Sequence, residues 1–250
     1  RSVGGHFFLD GGEGELRLLA EAGEGVAVGL GGLEVAARLP DHRTLAVHDR
    51  VVGLELEGAR IAIQGFGSVG EHAARFLEER GCTIVAVADA GGAVLNDGGV
   101  DIEDLVELKR SNRSVAECPD GKRMERDAIV GADCDIFIPA ARPDVIHEGN
   151  VDSLQAKLVV SGANIPATEA AERRMHERGI VSVPDFIANA GGVICAAMEY
   201  AGSTQSAAFT AIEERIRANT GEVLERSKSR EILTRAAATE LSRERIERAM

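Results

Sequence analysis

Ile61-Ala62-Ile63-Gln64-Gly65-Phe66-Gly67-Ser68-Val69-Gly70 is the stretch from which the fold can be read. Three apolar residues and Gln64, closed by a glycine turn, predict a short buried strand, of the kind found in parallel sheets covered on both faces. From Ser68 to Glu79 the spacing changes. Val69, Ala73, Phe76 and Leu77 fall on one helical face, and Gly81 stops the run. In this strand–turn–helix setting each glycine of G-x-G-x-x-G has a physical reason. Gly65 permits a tight turn, Gly67 lets a diphosphate approach the backbone, and Gly70 lets the helix pack closely on the strand. The anion would lie at the helix N-terminus, where unpaired N–H groups and the helix dipole favour negative charge. The alternative is that the glycines simply make a tight turn.

The segments that follow extend the pattern. Thr83–Ala88 predicts a second buried strand, and Asp89 ends it. A carboxylate there can accept hydrogen bonds from the adenosine ribose of a bound dinucleotide and would repel a 2′-phosphate. Neither Arg nor Lys occurs from Asp89 to Glu107, so NAD is expected in preference to NADP. Helices are expected at Asp101–Arg110, near Arg126–Gly131 and at Ala167–Arg178. Strands are expected at Asp135–Pro139, Leu158–Ser161 and Ile180–Val183. Strands alternating with helices predict an α/β fold, a Rossmann-type doubly wound parallel sheet. From about Phe186 onward the chain reads as helical, with runs over Ala207–Arg226 and Glu231–Met250. The charges of this tail read as a solvated face with i,i+4 pairs. The expected organisation is a weak, glycine-interrupted element over 1–58 with one helix at roughly 26–39, a dinucleotide-binding domain over 59–200, and C-terminal helices over 201–250 packing on it.

Small residues cluster where later strands end: Pro139-Ala140-Ala141, Ser161-Gly162-Ala163-Asn164, and Pro184-Asp185 through Asn189-Ala190-Gly191-Gly192. Open α/β sheets bind ligands at such strand ends. Asn164 and Asn189 each carry donors and an acceptor suited to a carboxamide or a ribose hydroxyl. Taken singly, either is more often a turn or cap residue.

Composition excludes other classes. The chain has 250 residues, with 41 acidic against 28 basic side chains and a formal net charge of −13. Nucleic acid and anionic membranes would be repelled. Aromatics are 3% with no Trp, so platforms for stacking bases are lacking. Cys82, Cys118, Cys134 and Cys195 lie far apart with no C-x-x-C pair, which predicts no zinc site, no disulfide framework and a reducing cytoplasm. No apolar run approaches the ~18 residues of a membrane span, and Arg1-Ser2-Val3-Gly4-Gly5 does not open a secretory signal. His147 and His176 read as surface residues, and no metal site is expected.

Together, Ile63–Gly70, the strand ending in Asp89, Ile138-Pro139-Ala140-Ala141, Gly162-Ala163-Asn164 and Pro184-Asp185 through Gly192-Val193 resemble the glutamate/leucine/phenylalanine/valine dehydrogenase family, in order and spacing, over roughly residues 58–226. The resemblance implies oxidative deamination of an L-amino acid to a 2-oxo acid, with hydride passing to nicotinamide. It assigns Gly65, Phe66, Gly67, Ser68, Val69, Gly70, Asp89, Ala140, Ala141, Asn164 and Asn189 to the cofactor, and it implies a homo-oligomer. In such enzymes a preceding domain carries the substrate lysine, the catalytic lysine and the catalytic aspartate. Here the first lysine is Lys109, inside the nucleotide domain. No residue therefore qualifies for either lysine role. Glu21-Ala22-Gly23-Glu24-Gly25-Val26 is similar to the family's E-A-T-G-x-G-V segment without its threonine. Glutamate-type members place a serine where this chain has Ala196, which suits an apolar substrate side chain better. The expectation is a cofactor half, from a truncated or degenerate N-terminus, that binds nucleotide and does not turn over alone. Two alternatives stay open: a non-catalytic NAD-binding module, and a different Rossmann dehydrogenase acting on 2-hydroxy acids.

Overall fold

In the computed structural model the described residues are 54–250. The helix expected at 26–39 and the Glu21–Val26 segment lie outside them. Seven strands form one sheet: β1 (Arg60–Gln64), β2 (Thr83–Asp89), β3 (Gly92–Leu95), β4 (Lys122–Met124), β5 (Ile136–Pro139), β6 (Leu158–Val160) and β7 (Val181–Val183). Their spatial order is β4-β3-β2-β1-β5-β6-β7. β2, β1, β5, β6 and β7 run parallel. The helices are α1 (Ser68–Glu78), α2 (Ile102–Arg110), α3 (Glu169–Glu177), α4 (Asp185–Ala188), α5 (Gly191–Tyr200), α6 (Gln205–Arg230) and α7 (Thr234–Ala249).

The two-residue period of the strands divides the core. Ile61, Ile63, Ile136, Ile138, Leu158 and Val160 join one cluster with Leu77 of α1, Leu105 of α2, Val223 of α6 and Leu241 of α7. Ala62, Phe137 and Val159 point the other way, to Ala171 and Met175 of α3 and to Ile129. Each inner strand thus carries apolar side chains on both faces, as helices above and below a parallel sheet require. The sequence expectation of a doubly wound α/β fold is met, with two corrections. β3 pairs antiparallel with β2, and β4 antiparallel with β3. β3 is a four-residue apolar run, Gly92-Ala93-Val94-Leu95, too short and too close to its neighbouring glycines to stand out, and β4 is the largely exposed Lys122-Arg123-Met124, which has no apolar pattern and forms by backbone pairing at the sheet edge. Arg126–Gly131 is a 3-10 helix.

Burial divides the four thiols. It pushes Cys82 up to about 11 and Cys134 up to about 12, and Cys118 is also buried. Cys195 on α5 is half-buried, its thiol held above the ordinary value by that burial and by Glu199. The thiolate is the reactive form. A maleimide at about pH 8 is therefore expected to label Cys195 first in the native chain and the other three only after denaturation, as read by peptide mass spectrometry. Rapid native labelling of Cys134 would contradict this packing.

Candidate dinucleotide site

The chain leaves β1 toward β2 on one side of the sheet and later returns as β5 on the other side of β1. The strand ends of β1 and β5 are therefore the topological switch point, where doubly wound sheets open a crevice. Gly65 turns there with φ +106, and its N–H donates to the Ala88 carbonyl at 2.8 Å. A Cβ on Gly65 would lie 2.5 Å from the Ala141 Cβ and 3.0 Å from the Ala140 carbonyl carbon. A Cβ on Gly70 would lie 1.8 Å from the Gly65 carbonyl oxygen. Around Gly67 nothing stands within 4 Å of such an atom. Gly67 is also the N-cap of α1 and supplies no side-chain cap. Open space beside uncapped helix N–H groups fits an anionic diphosphate. Ser68 is exposed at the same turn, Val69 is half-buried against the core, and the Phe66 ring is buried in it. Phe66 can meet a ligand only through its backbone.

Asp89 ends β2 as expected, but its carboxylate is spoken for. Oδ1 accepts from Ser114 Oγ at 2.6 Å and Gly91 N–H at 2.8 Å. Oδ2 accepts from Lys109 Nζ at 2.9 Å and Val115 N–H at 3.1 Å. A carboxylate has about four acceptor positions, so four donors leave none for ribose hydroxyls. Two premises for preferring NAD fall together. The carboxylate is neutralised, and a lysine from the last turn of α2 stands beside it, 36% exposed against 7% for Asp89. Burial alone would raise the Asp89 carboxyl, but the bonds from Ser114, Lys109, Gly91 and Val115 outweigh it and hold it below the ordinary value. A depressed carboxyl adds stability above its unfolded pKa near 4 and loses it as pH falls through the folded value. The melting-temperature gap between wild type and Asp89→Asn should thus be widest above about pH 5 and close toward about pH 3. A gap that widens on acidification would reverse the sign.

A crevice of about 650 Å³ at the ends of β5 and β6 is lined by Ala140, Ala141, Gly162, Ala163, Asn164, Asn189 and Gly192. Asn189 Nδ2 donates to Asn164 Oδ1 at 2.7 Å. The loop carrying Asn164 is pinned on both sides. Gly162 and Ala163 N–H donate to the Pro139 carbonyl at 3.0 and 2.8 Å, and Ile165 N–H donates to Asp185 Oδ2 at 2.9 Å. Ile165 has φ +48 and precedes Pro166. That conformation is strained for a β-branched residue, by about 1–3 kcal/mol. His147 and His176 are exposed and do not line the crevice. A second groove, about 540 Å³ beside β7, contains none of the glycines or asparagines of this site. Among the described residues no group of His, Cys, Asp and Glu could hold a metal ion, and no helix is long and apolar enough to cross a membrane.

The chain matches the Glutamate/Leucine/Phenylalanine/Valine dehydrogenase family over residues 27–250. It belongs to that family. Glutamate dehydrogenase of Aeropyrum pernix is 37% identical over 240 residues, 90% of this chain and 57% of that protein. NADP-specific glutamate dehydrogenase of Saccharolobus shibatae is 45% identical over 148 residues, 59% of this chain and 35% of that protein. Among solved structures, the hetero-hexameric glutamate dehydrogenase of Thermus thermophilus superposes with a TM-score of 0.75 at 25% identity, covering 90% of this chain and 52% of that one. The chain thus spans between about a third and three-fifths of these dehydrogenases. The family match begins at residue 27, just after the Glu21–Val26 segment and well before the glycine turn. Sequence reasoning passed over Lys109 and Ser114, which reach Asp89 only through the fold of α2 and the loop after it. The available signal was Lys109 falling on the last turn of a helix that follows β2.

Proposed function

We propose that this chain is the nicotinamide-dinucleotide-binding portion of an amino-acid dehydrogenase that deaminates an L-amino acid to a 2-oxo acid. The observation that carries the reading is the Gly65–Gly70 turn at the switch point, open at Gly67 and packed at Gly65 against Ala140 and Ala141, which line the same crevice as the Asn164–Asn189 pair. Bound there, the cofactor supplies the hydride acceptor. The chain's own residues bind and orient it. Backbone N–H groups at the start of α1 hold the diphosphate, Gly65 and the Ala140-Ala141 turn shape the floor, and the two asparagines meet the carboxamide end. The absence of any lysine before Lys109 leaves proton transfer to groups outside this chain's nucleotide site.

Cofactor selection follows from the Asp89 cluster. A Lys109 ammonium has three donors, of which Asp89 takes one. We infer that the chain accepts NADPH at least as well as NADH, with Lys109 and Ser114 on the 2′-phosphate side. The S. shibatae relative, named NADP-specific, supports this reading. The domain division 1–58, 59–200 and 201–250 belongs to the same proposal, as does assembly into oligomers like that named for the T. thermophilus neighbour. α5 leaves Val193 77% and Tyr200 94% exposed, an apolar face suited to assembly.

Calorimetric titration of the 250-residue chain tests the reading. Saturable binding of NADH, NADPH and ADP-ribose is expected, with none for free amino acid and no amino-acid-dependent reduction of NAD or NADP. Failure to bind any of the three nucleotides would remove the dinucleotide site, and steady turnover would remove the claim that this chain alone is inactive.

A further inference from the structure

We propose that the last helix sets the geometry of the nicotinamide end of the crevice, with Arg235 and Asp185 as positioning residues for the Asn164–Asn189 pair. The inference rests on the reading of that pair as the carboxamide site.

Asp185 begins α4 and touches both arms of the pair. Its carboxylate Oδ2 accepts the Ile165 N–H at 2.9 Å, which fixes the residue after Asn164. Its backbone carbonyl accepts the Asn189 N–H at 2.8 Å. Between Ala163, tied to the Pro139 carbonyl, and Ile165, tied to Asp185, only Asn164 has no such tether, and its side chain reaches Asn189. The Ile165 carbonyl accepts from Asp144 N–H at 2.9 Å, and Asp144 itself has φ +51. Two residues in the left-handed region thus brace each other. Such backbone persists only where its surroundings over-determine it, and it clusters at ligand clamps.

The other oxygen of Asp185 is held from α7. Arg235 Nη2 donates to Asp185 Oδ1 at 3.0 Å, and Arg235 Nε donates to Glu172 Oε2 at 2.7 Å. The two carboxylates are 10% and 9% exposed. The guanidinium also lies 5.6 Å over the Phe186 ring. A buried carboxylate held by a planar, two-sided cation keeps one rotamer. Arg235 therefore orients Asp185, and Asp185 places both asparagines. None of these groups touches the diphosphate turn, so the effect falls on the nicotinamide half of the ligand alone.

The test compares NADH with ADP-ribose, which lacks nicotinamide, in the whole chain and in Arg235→Met and Asp185→Asn. Arg235→Met/Glu172→Gln serves as a further variant, because it removes one of the charges that Arg235→Met strands. Kd for both ligands and the emission of bound NADH are measured. The expected result is an NADH Kd raised about tenfold or more, an NADH emission shifted toward that of free solution, and an ADP-ribose Kd within about twofold of wild type, which also certifies the fold. Parallel loss of both ligands, or no change in either, overturns the positioning role. Wild type binding ADP-ribose and NADH equally, with emission as in water, overturns the carboxamide reading and this inference with it.

Discussion

Gly70→Ala is expected to cost about 3 kcal/mol of folding stability, while Gly67→Ala costs less than about 1 kcal/mol. The two glycines sit three residues apart in one turn, yet they meet different surroundings. A methyl on Gly70 would stand 1.8 Å from the Gly65 carbonyl oxygen and 3.3 Å from Ile63 Cγ2. The obstacle is backbone at the root of the central strand, so α1 must lift from β1. A methyl on Gly67 meets nothing, and the loss there is the poorer N-cap of α1. Function should run the other way. Gly67→Val fills the space a diphosphate needs, and dinucleotide affinity should fall more than about tenfold in a chain that still folds. Chemical denaturation and calorimetry on the variants check both halves. Equal destabilisation by the two alanines would mean that the turn is not packed as described, and undiminished affinity in Gly67→Val would remove the diphosphate from this loop.

The second large effect is expected at Lys109. Lys109→Ala should weaken NADPH by about tenfold or more, since a hydrogen bond to a charged group contributes about 1.5–3 kcal/mol. NADH should change by less than about threefold. The variant also leaves the Asp89 charge without its cation, which adds repulsion toward a phosphate and none toward a hydroxyl. The NADPH-to-NADH ratio of Kd values is the readout, and its salt dependence should shrink in the variant. An unchanged ratio would place the 2′-phosphate away from Lys109.

These expectations differ in how far the sequence could have supplied them. The β1 turn was legible because every signal in it is local: an apolar triplet, three glycines and a helical period. Asp89 was legible by position, but its state was not. The donors that saturate it lie at Lys109, Ser114 and Val115, brought back by α2 and the 3-10 turn after it. Residues 89–107 hold no cation, and Lys109 reaches Asp89 because distance in sequence is not distance across a fold. Asn164 and Asn189 each stood out beside small residues at a strand end, while their mutual hydrogen bond exists only because β6 and β7 are neighbours. Arg235 was hidden among the charges of the tail. Many of those do form solvated pairs, Arg226 with Glu222 and Glu244, and Arg230 with Glu240. Arg235 instead turns inward to two buried carboxylates, and nothing in its sequence neighbourhood distinguishes it.

By itself the sequence determined the alternation of strands and helices, the glycine turn and the family, because short-range periodicity and backbone freedom are properties of consecutive residues. Tertiary structure alone decided that β3 and β4 join the sheet antiparallel, that Asp89 is neutralised, and that the last helix reaches Asp185. Those outcomes depend on hydrogen bonds and charges meeting across tens of residues, which only the closed packing of the sheet and its helices brings within bonding distance.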